Sequence, residues 1–348
     1  MRECIPALLE NRDLQGNEAQ TAMNEIMSGE ATPAQVAAFL VGLKKKGETV
    51  GEITALASAM RGFSRTIHPK VNGYLLDTCG TGGDRTKTFN VSTTSAIVIA
   101  AAGVPVAKHG NRSSTSRCGS ADVLERLGLN LNMTPEAVQN SIENIGIGFM
   151  FAPNFHSAMK NVASIRKELG IRTVFNILGP LTNPAGATAQ LIGVYDPNLL
   201  EPMAQSAHNL GVSSVMTVYG LDGVDEISMS ERTAIVKIQN GSSTREEIDP
   251  TELGFKMAHP RDVAGYDVDQ NAKLTIDILS GSLSKDDPRL QMVLANSAAG
   301  LLLCAAARDM REGIEIAANT VSDGKANKKL HELVTHSGGE FRNPCTMS

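Results

Sequence analysis

The sequence predicts an α/β fold: a small N-terminal helical domain over residues 1–70, then a large α/β domain over 71–348 with a mostly parallel sheet flanked by helices. Two observations carry this. The first seventy residues show amphipathic helical patterns with no strand between them. From residue 73 onward, short apolar runs alternate with segments of helical length, the pattern of a parallel sheet covered by helices.

In the first part, "TPAQVAAFLVGLKKKG" (32–47) opens on Thr32 as N-cap with Pro33 at the first helical position. Val36, Phe39, Leu40 and Leu43 share a face, Lys44 to Lys46 suit the C-terminal dipole, and Gly47 suits a left-handed stop. "TVGE" (49–52) is a capping-box pattern opening a helix with Ile53, Leu56, Met60 and Phe63 on its apolar side. In the second part the strands are expected at 74–77, 104–107, 148–152, 190–194, 214–219 and 234–238. The last two are joined too tightly for a helix, so one edge is expected to be antiparallel. A long helix is expected near 288–311 and a poorly ordered tail over 337–348.

Composition narrows the function classes. With 348 residues, 42% hydrophobic and 20% charged, the chain reads as a globular protein with room for two domains. A net charge of −5 gives no sign of a nucleic-acid-binding face. The five cysteines are scattered and lack CxxC spacing, which argues against a disulfide framework or zinc site and for a reducing cytosol. Charge at Arg2, Glu3 and Glu10 argues against a secretory signal, and the longest apolar stretches, 95–107 and 297–307, are too short to span a bilayer. Both read as buried helices.

Three polar stretches carry the chemistry. "CGTGGDRTKTFNVSTTS" (79–95) follows a predicted strand and precedes a helix, where backbone N–H groups and a helix start receive an anion. It is neither a P-loop, lacking GxxxxGK[ST], nor a dinucleotide fingerprint, since position 85 is Arg. "AKHGNRSSTSRCGSAD" (107–122) repeats the strand-loop-helix setting with Lys108, His109, Arg112 and Arg117 among hydroxyls, a second anion cradle. Together they favour a polyanionic substrate. In "GLDGVDEIS" (220–228), Asp225 and Glu226 can reach hard cations from a bent loop, although an exposed acidic loop is the plainer reading of that pair alone.

Seven motifs in order resemble the anthranilate phosphoribosyltransferase family: "GTGGD" (80–84), "FNVST" (89–93), "KHGNRS" (108–113), "GSADVLE" (119–125), "FAPNFH" (151–156), "RKELGIRTVFNILGPLTNP" (166–184) and "VDE" (224–226). The likeness covers nearly the whole chain. It implies a nucleoside phosphorylase/phosphoribosyltransferase-like fold, with the helical domain completed by helices near 168–186. It implies a site for 5-phosphoribosyl 1-pyrophosphate (PRPP) made by Gly80, Gly83, Asp84, Thr88, Asn90, Val91, Ser92, Thr93, Lys108, His109, Gly110, Asn111, Arg112, Ser113, Ser114, Thr115, Ser116 and Ser120. Ser92, Asp225 and Glu226 would hold magnesium, two ions per monomer. Gly80, Asn111 and Arg166 would bind anthranilate, with His109 and His156 lining its path. A cytoplasmic homodimer with no nucleic-acid or membrane partner is implied. The chain departs from the family pattern at Arg85, where Gly is more usual, and over 114–118, where Ser-Thr-Ser-Arg-Cys replaces Val-Ser-Ser-Lys-Ser.

The residue types agree with ribosyl transfer. Expelling pyrophosphate builds negative charge on the leaving group, which magnesium, backbone N–H groups and Lys108 suit. The weakly basic aromatic amine already carries a lone pair, so no general base is assigned. His109 reads as a packing or orienting group as readily as a base, and Arg166 suits a carboxylate in fork geometry. Two rivals stand beside this reading. A pyrimidine nucleoside phosphorylase of the same architecture would use thymidine and phosphate, and a nucleic-acid-binding relative would show salt-dependent retention on DNA.

Overall fold

The computed structural model describes residues 1–83, 87–113 and 118–343. Four helices come first: α1 (Cys4–Leu9), α2 (Gly16–Ser28), α3 (Pro33–Lys46) and α4 (Val50–Gly62). Thr32 caps α3 and Thr49 caps α4, each in a capping box. The Glu52 partner of Thr49 is fully buried; it also takes the Leu14 N–H at 2.8 Å and pairs with Lys46 at 2.9 Å. Two details differ from expectation. Gly47 has φ 90° but an extended ψ of 133°, and Phe63 is the C-cap of α4, 37% exposed, because the apolar face ends at Met60.

The rest alternates strand and helix: β1 (Leu76–Gly80), α5 (Val91–Ala101), β2 (Val106–Gly110), α6 (Ser120–Arg126), α7 (Pro135–Ile145), β3 (Ile147–Phe151), α8 (Ala152–Phe155), α9 (Lys160–Leu169), α10 (Phe175–Leu181), β4 (Ala189–Gly193), α11 (Leu200–Asn209), β5 (Ser214–Gly220), β6 (Thr233–Gln239), β7 (Ser242–Ile248), α12 (Val268–Leu279), α13 (Pro288–Leu303), α14 (Met310–Ser322) and α15 (Lys325–His336). The strands form one sheet in the order β3-β2-β1-β4-β5-β6-β7. β1 to β5 are parallel, and β5, β6 and β7 pair antiparallel.

The sheet separates two cores. Leu191, Met216 and Val218 face α5 and α12 to α15, while Ile192, Val215 and Tyr219 face α1 to α4 and α9 to α11. Successive residues point to opposite faces, so strands buried on both sides read as continuous apolar runs. Phe39, Leu40, Leu43, Ile53 and Leu56 of the first helices share one cluster with Val162, Ile165, Phe175, Leu178 and Leu181.

The structure corrects the sequence reading in four places. β1 and β2 run two to three residues further than expected, so Gly80 and Gly110 are the ends of strands. β7 was not expected: "SSTREEI" has no apolar alternation because it is a solvated edge blunted by charge. The long C-terminal helix stops at Leu303, where Ala305 takes φ 56°, and α14 restarts after the Asp309 N-cap. Residues 337–343 dock rather than trail: Arg342 N–H donates to Leu127 O, and the His331 and Phe341 rings lie 3.7 Å apart. No helix among the described residues is long and apolar enough to cross a membrane.

Candidate active site

The glycine turn and the second polar loop leave the carboxyl ends of β1 and β2, which are neighbours in the sheet. Between them opens a cavity of about 290 Å³. Its lining includes Gly80, Gly83, Thr88, Asn90, Val91, Ser92, Thr93, Lys108, His109, Gly110, Asn111, Arg112, Ser113, Ser120, Asp225 and Glu226. Asp84, Ser114, Thr115 and Ser116 lie outside the described residues. His156 and Arg166 are not part of this lining.

The turn is held from a distance. Gly82 and Gly83 have φ of 68° and 80°, a region that side chains with a Cβ rarely adopt. Thr81 N–H donates to Gly193 O at 2.9 Å, and Thr81 Oγ1 accepts from Tyr195 N–H at 3.1 Å. Gly82 N–H donates to Asp225 Oδ2 at 3.0 Å. Arg172, lying 4.1 Å over the Tyr195 ring, donates to the Gly83 carbonyl.

Asp225 and Glu226 reach the cavity because their loop crosses the end of β4. A Cβ at Gly193 would come within 1.6 Å of the Asp225 carbonyl oxygen, so only glycine permits the crossing. Asn296, fully buried on α13, fixes the next residue by accepting from Ile227 N–H at 3.0 Å and donating to Ile227 O at 3.2 Å. Glu226 Oε1 accepts from Ser92 N–H at 3.1 Å. The plainer reading of an exposed acidic loop is therefore overturned: the acids are 8% and 9% exposed.

The second loop is closed by its own helix. Asp122 Oδ2 accepts from Ser113 N–H at 3.0 Å and Gly119 N–H at 2.9 Å, clasping both described ends of the loop. Arg112 lines the cavity, but its guanidinium is engaged by Glu125 at 2.6 and 2.8 Å and by Asp122 at 3.0 Å. Lys108 is 4% exposed; its Nζ donates to Thr78 O at 2.5 Å. Beneath it lies the fully buried Asp77, whose carboxyl is pushed up by burial, with Lys108 opposing the shift.

His156 reaches the edge of the site by packing on His109, ring centroids 5.0 Å apart. Gly179 O faces His109 and Thr182 O faces His156, while both Nε2 atoms are buried without a hydrogen-bond partner among the described residues. Burial, and for His109 also the neighbouring His156, pushes His109 well below its ordinary value; burial brings His156 down to about 4. Both are therefore neutral near pH 7 and weak as bases. Arg166, half-buried at the end of α9, lies 5.4 Å over the Phe175 ring and has no carboxylate partner among the described residues.

The comparisons with known proteins fit this geometry. Residues 72–327 match the model of the glycosyl transferase family a/b domain, and residues 2–64 match its helical bundle domain. The anthranilate phosphoribosyltransferase of Symbiobacterium thermophilum is 49% identical over 333 residues, 96% of each chain. The chain belongs to the anthranilate phosphoribosyltransferase family. The enzyme of Methanobrevibacter smithii is 45% identical over 97% of this chain and 99% of its own. Among solved structures, the Thermus thermophilus anthranilate phosphoribosyltransferase superposes with a TM-score of 0.90 at 39% identity, over 96% of this chain and 99% of that one. The Saccharomyces cerevisiae enzyme in complex with PRPP and Mg gives 0.90 at 28%, over 97% of both chains.

Sequence reasoning missed several residues that shape the site. Cys79, Thr81, Phe89 and Cys118 line the cavity unforeseen, beside Gly82 and Gly119, glycines of the two loops that the sequence did single out. Gly193 carried a legible signal, a glycine ending an apolar strand. Asp122 did too, as an acid in the first turn of a helix. Arg172 lies inside the motif 166–184, but nothing in its spacing pointed to the glycine turn.

Proposed function

We propose that the chain transfers the phosphoribosyl group of PRPP to the amine of anthranilate, giving N-(5-phosphoribosyl)anthranilate and pyrophosphate, the second step of tryptophan synthesis from chorismate. The observation that carries this reading is an anion cradle with two carboxylates in its wall: both loop starts, Lys108, Asp225 and Glu226 line one cavity. Carboxylates beside a polyanion repel it unless a cation stands between them. Magnesium fits that demand, because it binds through one or two carboxylates and completes its shell with substrate phosphates and water. Among the described residues no group of three or more acidic, His or Cys side chains could hold a metal by itself, in keeping with a site completed by substrate.

Asp225, Glu226 and Ser92 would hold two magnesium ions per monomer. When bound, the metal neutralises charge that develops on pyrophosphate. The chain's own residues do the rest. The turn at Gly80 and Gly83, with Asp84, Thr88 and residues 90–93, receives the pyrophosphate together with the loop 108–116 and Ser120. The buried Lys108 presents a cation against the leaving group. No side chain acts as general base, in keeping with the depressed His109 and His156. Arg166 pairs with the anthranilate carboxylate, aided by Gly80 and Asn111, and the unpartnered Nε2 atoms of His109 and His156 offer acceptors along the path.

The helices near 168–186 complete the helical domain of residues 1–70, a reading supported by Phe175, Leu178 and Leu181 sharing a cluster with Phe39, Leu40 and Leu56, a cluster that also takes in residues of β4, β5 and α11; 71–348 otherwise forms the α/β unit. A homodimer is the working assembly, supported by Leu9 at 62% and Val41 at 42% exposure on the adjoining α1 and α3, and the cytoplasm is its proposed location. The named relatives favour transfer to anthranilate over phosphorolysis or nucleic-acid binding.

The test is loss of anthranilate fluorescence on adding PRPP and magnesium, run on the wild type and on Arg166→Ala. The wild type should turn over. The variant should lose about tenfold to a hundredfold in kcat/KM for anthranilate, the worth of one charge-assisted hydrogen bond, with little change for PRPP. Turnover of thymidine and phosphate instead would replace this reading with the phosphorylase one.

A further inference from the structure

Asn90 stands at the N-cap of α5 yet makes no side-chain cap bond. An asparagine there ordinarily folds its carboxamide oxygen over an amide of its own first turn, satisfying one of the donors that a helix start leaves open. Here that oxygen is taken by another element. Asn271, in the first turn of α12 and 2% exposed, donates from Nδ2 to Asn90 Oδ1 at 3.2 Å. Its own Oδ1 accepts from Tyr266 N–H at 2.9 Å, so its amide is held at both ends. Asn90 Nδ2 then donates to the Cys118 carbonyl at 3.3 Å. Two carboxamides thus link α12 to the start of α5 and to the second loop.

The supporting segment is itself fixed along the strip it braces. Gly265 N–H donates to Lys87 O at 2.7 Å, and Ala264 bridges to Thr88. A Cβ at Gly265 would lie 2.5 Å from Thr88 O, so the two backbones meet at closest approach. None of 264–271 lines the cavity.

We propose that Asn271 is a positioning residue for PRPP, a proposal that rests on reading this cavity as the PRPP site. By holding the Asn90 oxygen, it keeps Asn90 from capping its own helix. The amides at the start of α5, where the helix dipole favours negative charge, stay open to phosphate. Ser92 N–H is already given to Glu226, so the amide at stake is that of Thr93. Without Asn271, the Asn90 side chain turns onto its own helix and competes with substrate.

The experiment is a two-substrate kinetic matrix on Asn271→Ala, Asn90→Ala and the double variant, with calorimetric binding of PRPP and magnesium to the wild type. Asn271→Ala should raise the KM for PRPP about fivefold to thirtyfold and leave the KM for anthranilate within about twofold, the scale of one or two hydrogen bonds. In the Asn90→Ala background the same change should add less than about twofold, because the residue it acts through is gone. Asn271→Ser, which keeps a polar group for Tyr266 N–H but is too short to reach Asn90, should behave like Asn271→Ala and serves where alanine does not fold. A crystal structure of either Asn271 variant without substrate should show the Asn90 oxygen turned onto Thr93 N–H. Equal rises for both substrates, or full additivity with Asn90→Ala, would overturn the proposal and leave Asn271 as a fold brace. If the wild type binds no PRPP, the site reading itself fails; if it binds and the Asn271 variants match it, only this proposal does.

Discussion

The two loops that wall the cavity look alike in sequence and are supported in opposite ways. The glycine turn after β1 is held by residues far along the chain: Gly193, Tyr195, Asp225 and Arg172. The loop after β2 is clasped by Asp122 on the helix that follows it. The first loop therefore depends on the assembled sheet, whereas the second carries its clasp with it. The difference extends to charge. The first loop is backed by acids whose charge faces the cavity; the second has its most conspicuous cation, Arg112, already engaged by acids.

The largest test strikes the remote support of the first loop. Asp225→Asn with Glu226→Gln keeps oxygen acceptors for Gly82 N–H and Ser92 N–H but removes both charges. Turnover should fall about a thousandfold or more, the scale of removing a preorganised charge or metal site. The corresponding alanine pair should lose the same activity and also stability, about 1 kcal/mol for each hydrogen bond lost. Urea denaturation of the two pairs separates these effects. Amide variants that retain activity would show that the acids only hold the loop.

Next in size is Gly83→Val. At φ 80° a β-branched residue is strained, and its Cβ would lie 2.5 Å from the Arg172 guanidinium. A strained backbone of this kind costs of order 1–3 kcal/mol, so the affinity for PRPP should drop about tenfold to a hundredfold by calorimetry. Gly83→Ala should be milder because it lacks the branch. If both bind PRPP as the wild type does, the turn is only a connector.

How much was legible follows the same division. Thr32, Thr49 and the runs that became β1 to β6 were readable, because caps and apolar strands obey local rules. The loop residues declared themselves through glycines, hydroxyls and cations following strands. Asp225 and Glu226 were singled out and do line the cavity, but their burial was not foreseen, since it depends on Gly193 and on Asn296 of α13. β7 was missed because a solvated edge strand need not carry an apolar face, and the docked segment 337–343 because its backbone partner Leu127 lies far back in the chain. Arg172 and Asn271 look like ordinary polar residues until the fold brings Gly83 and Asn90 to them.

A smaller effect is expected at the local clasp. Asp122→Ala removes the acceptor shared by Ser113 N–H and Gly119 N–H, and frees Arg112 from one of its two acids. The KM for PRPP should rise about tenfold, as for the loss of a charged hydrogen-bonding group. The sheet and its melting cooperativity should be unaffected, because α6 is short and its buried side, Ala121, Val123 and Leu124, is untouched. A collapse of cooperative unfolding would place Asp122 in the fold's foundation and erase the contrast between local and remote support.

The smallest effect is expected where the sequence was most suggestive. Arg112 reads as a phosphate ligand, yet its guanidinium is engaged by Glu125 and Asp122 and lies 5.6 Å over the Phe151 ring. Any phosphate would have to compete with those acids. The pairs are solvated, with Arg112 at 46% and Glu125 at 48% side-chain exposure, so each contributes about 0–1 kcal/mol. Arg112→Gln should therefore change stability by less than about 1 kcal/mol and the KM for PRPP by less than about fivefold. The double variant Arg112→Gln with Glu125→Gln sharpens the test, since it removes the closer pair without leaving the Glu125 carboxylate unpaired, while Asp122 keeps its two backbone donors. A hundredfold loss in PRPP affinity from Arg112→Gln alone would mean that the guanidinium leaves its acids for the substrate, and the two loops would then differ in support but not in charge.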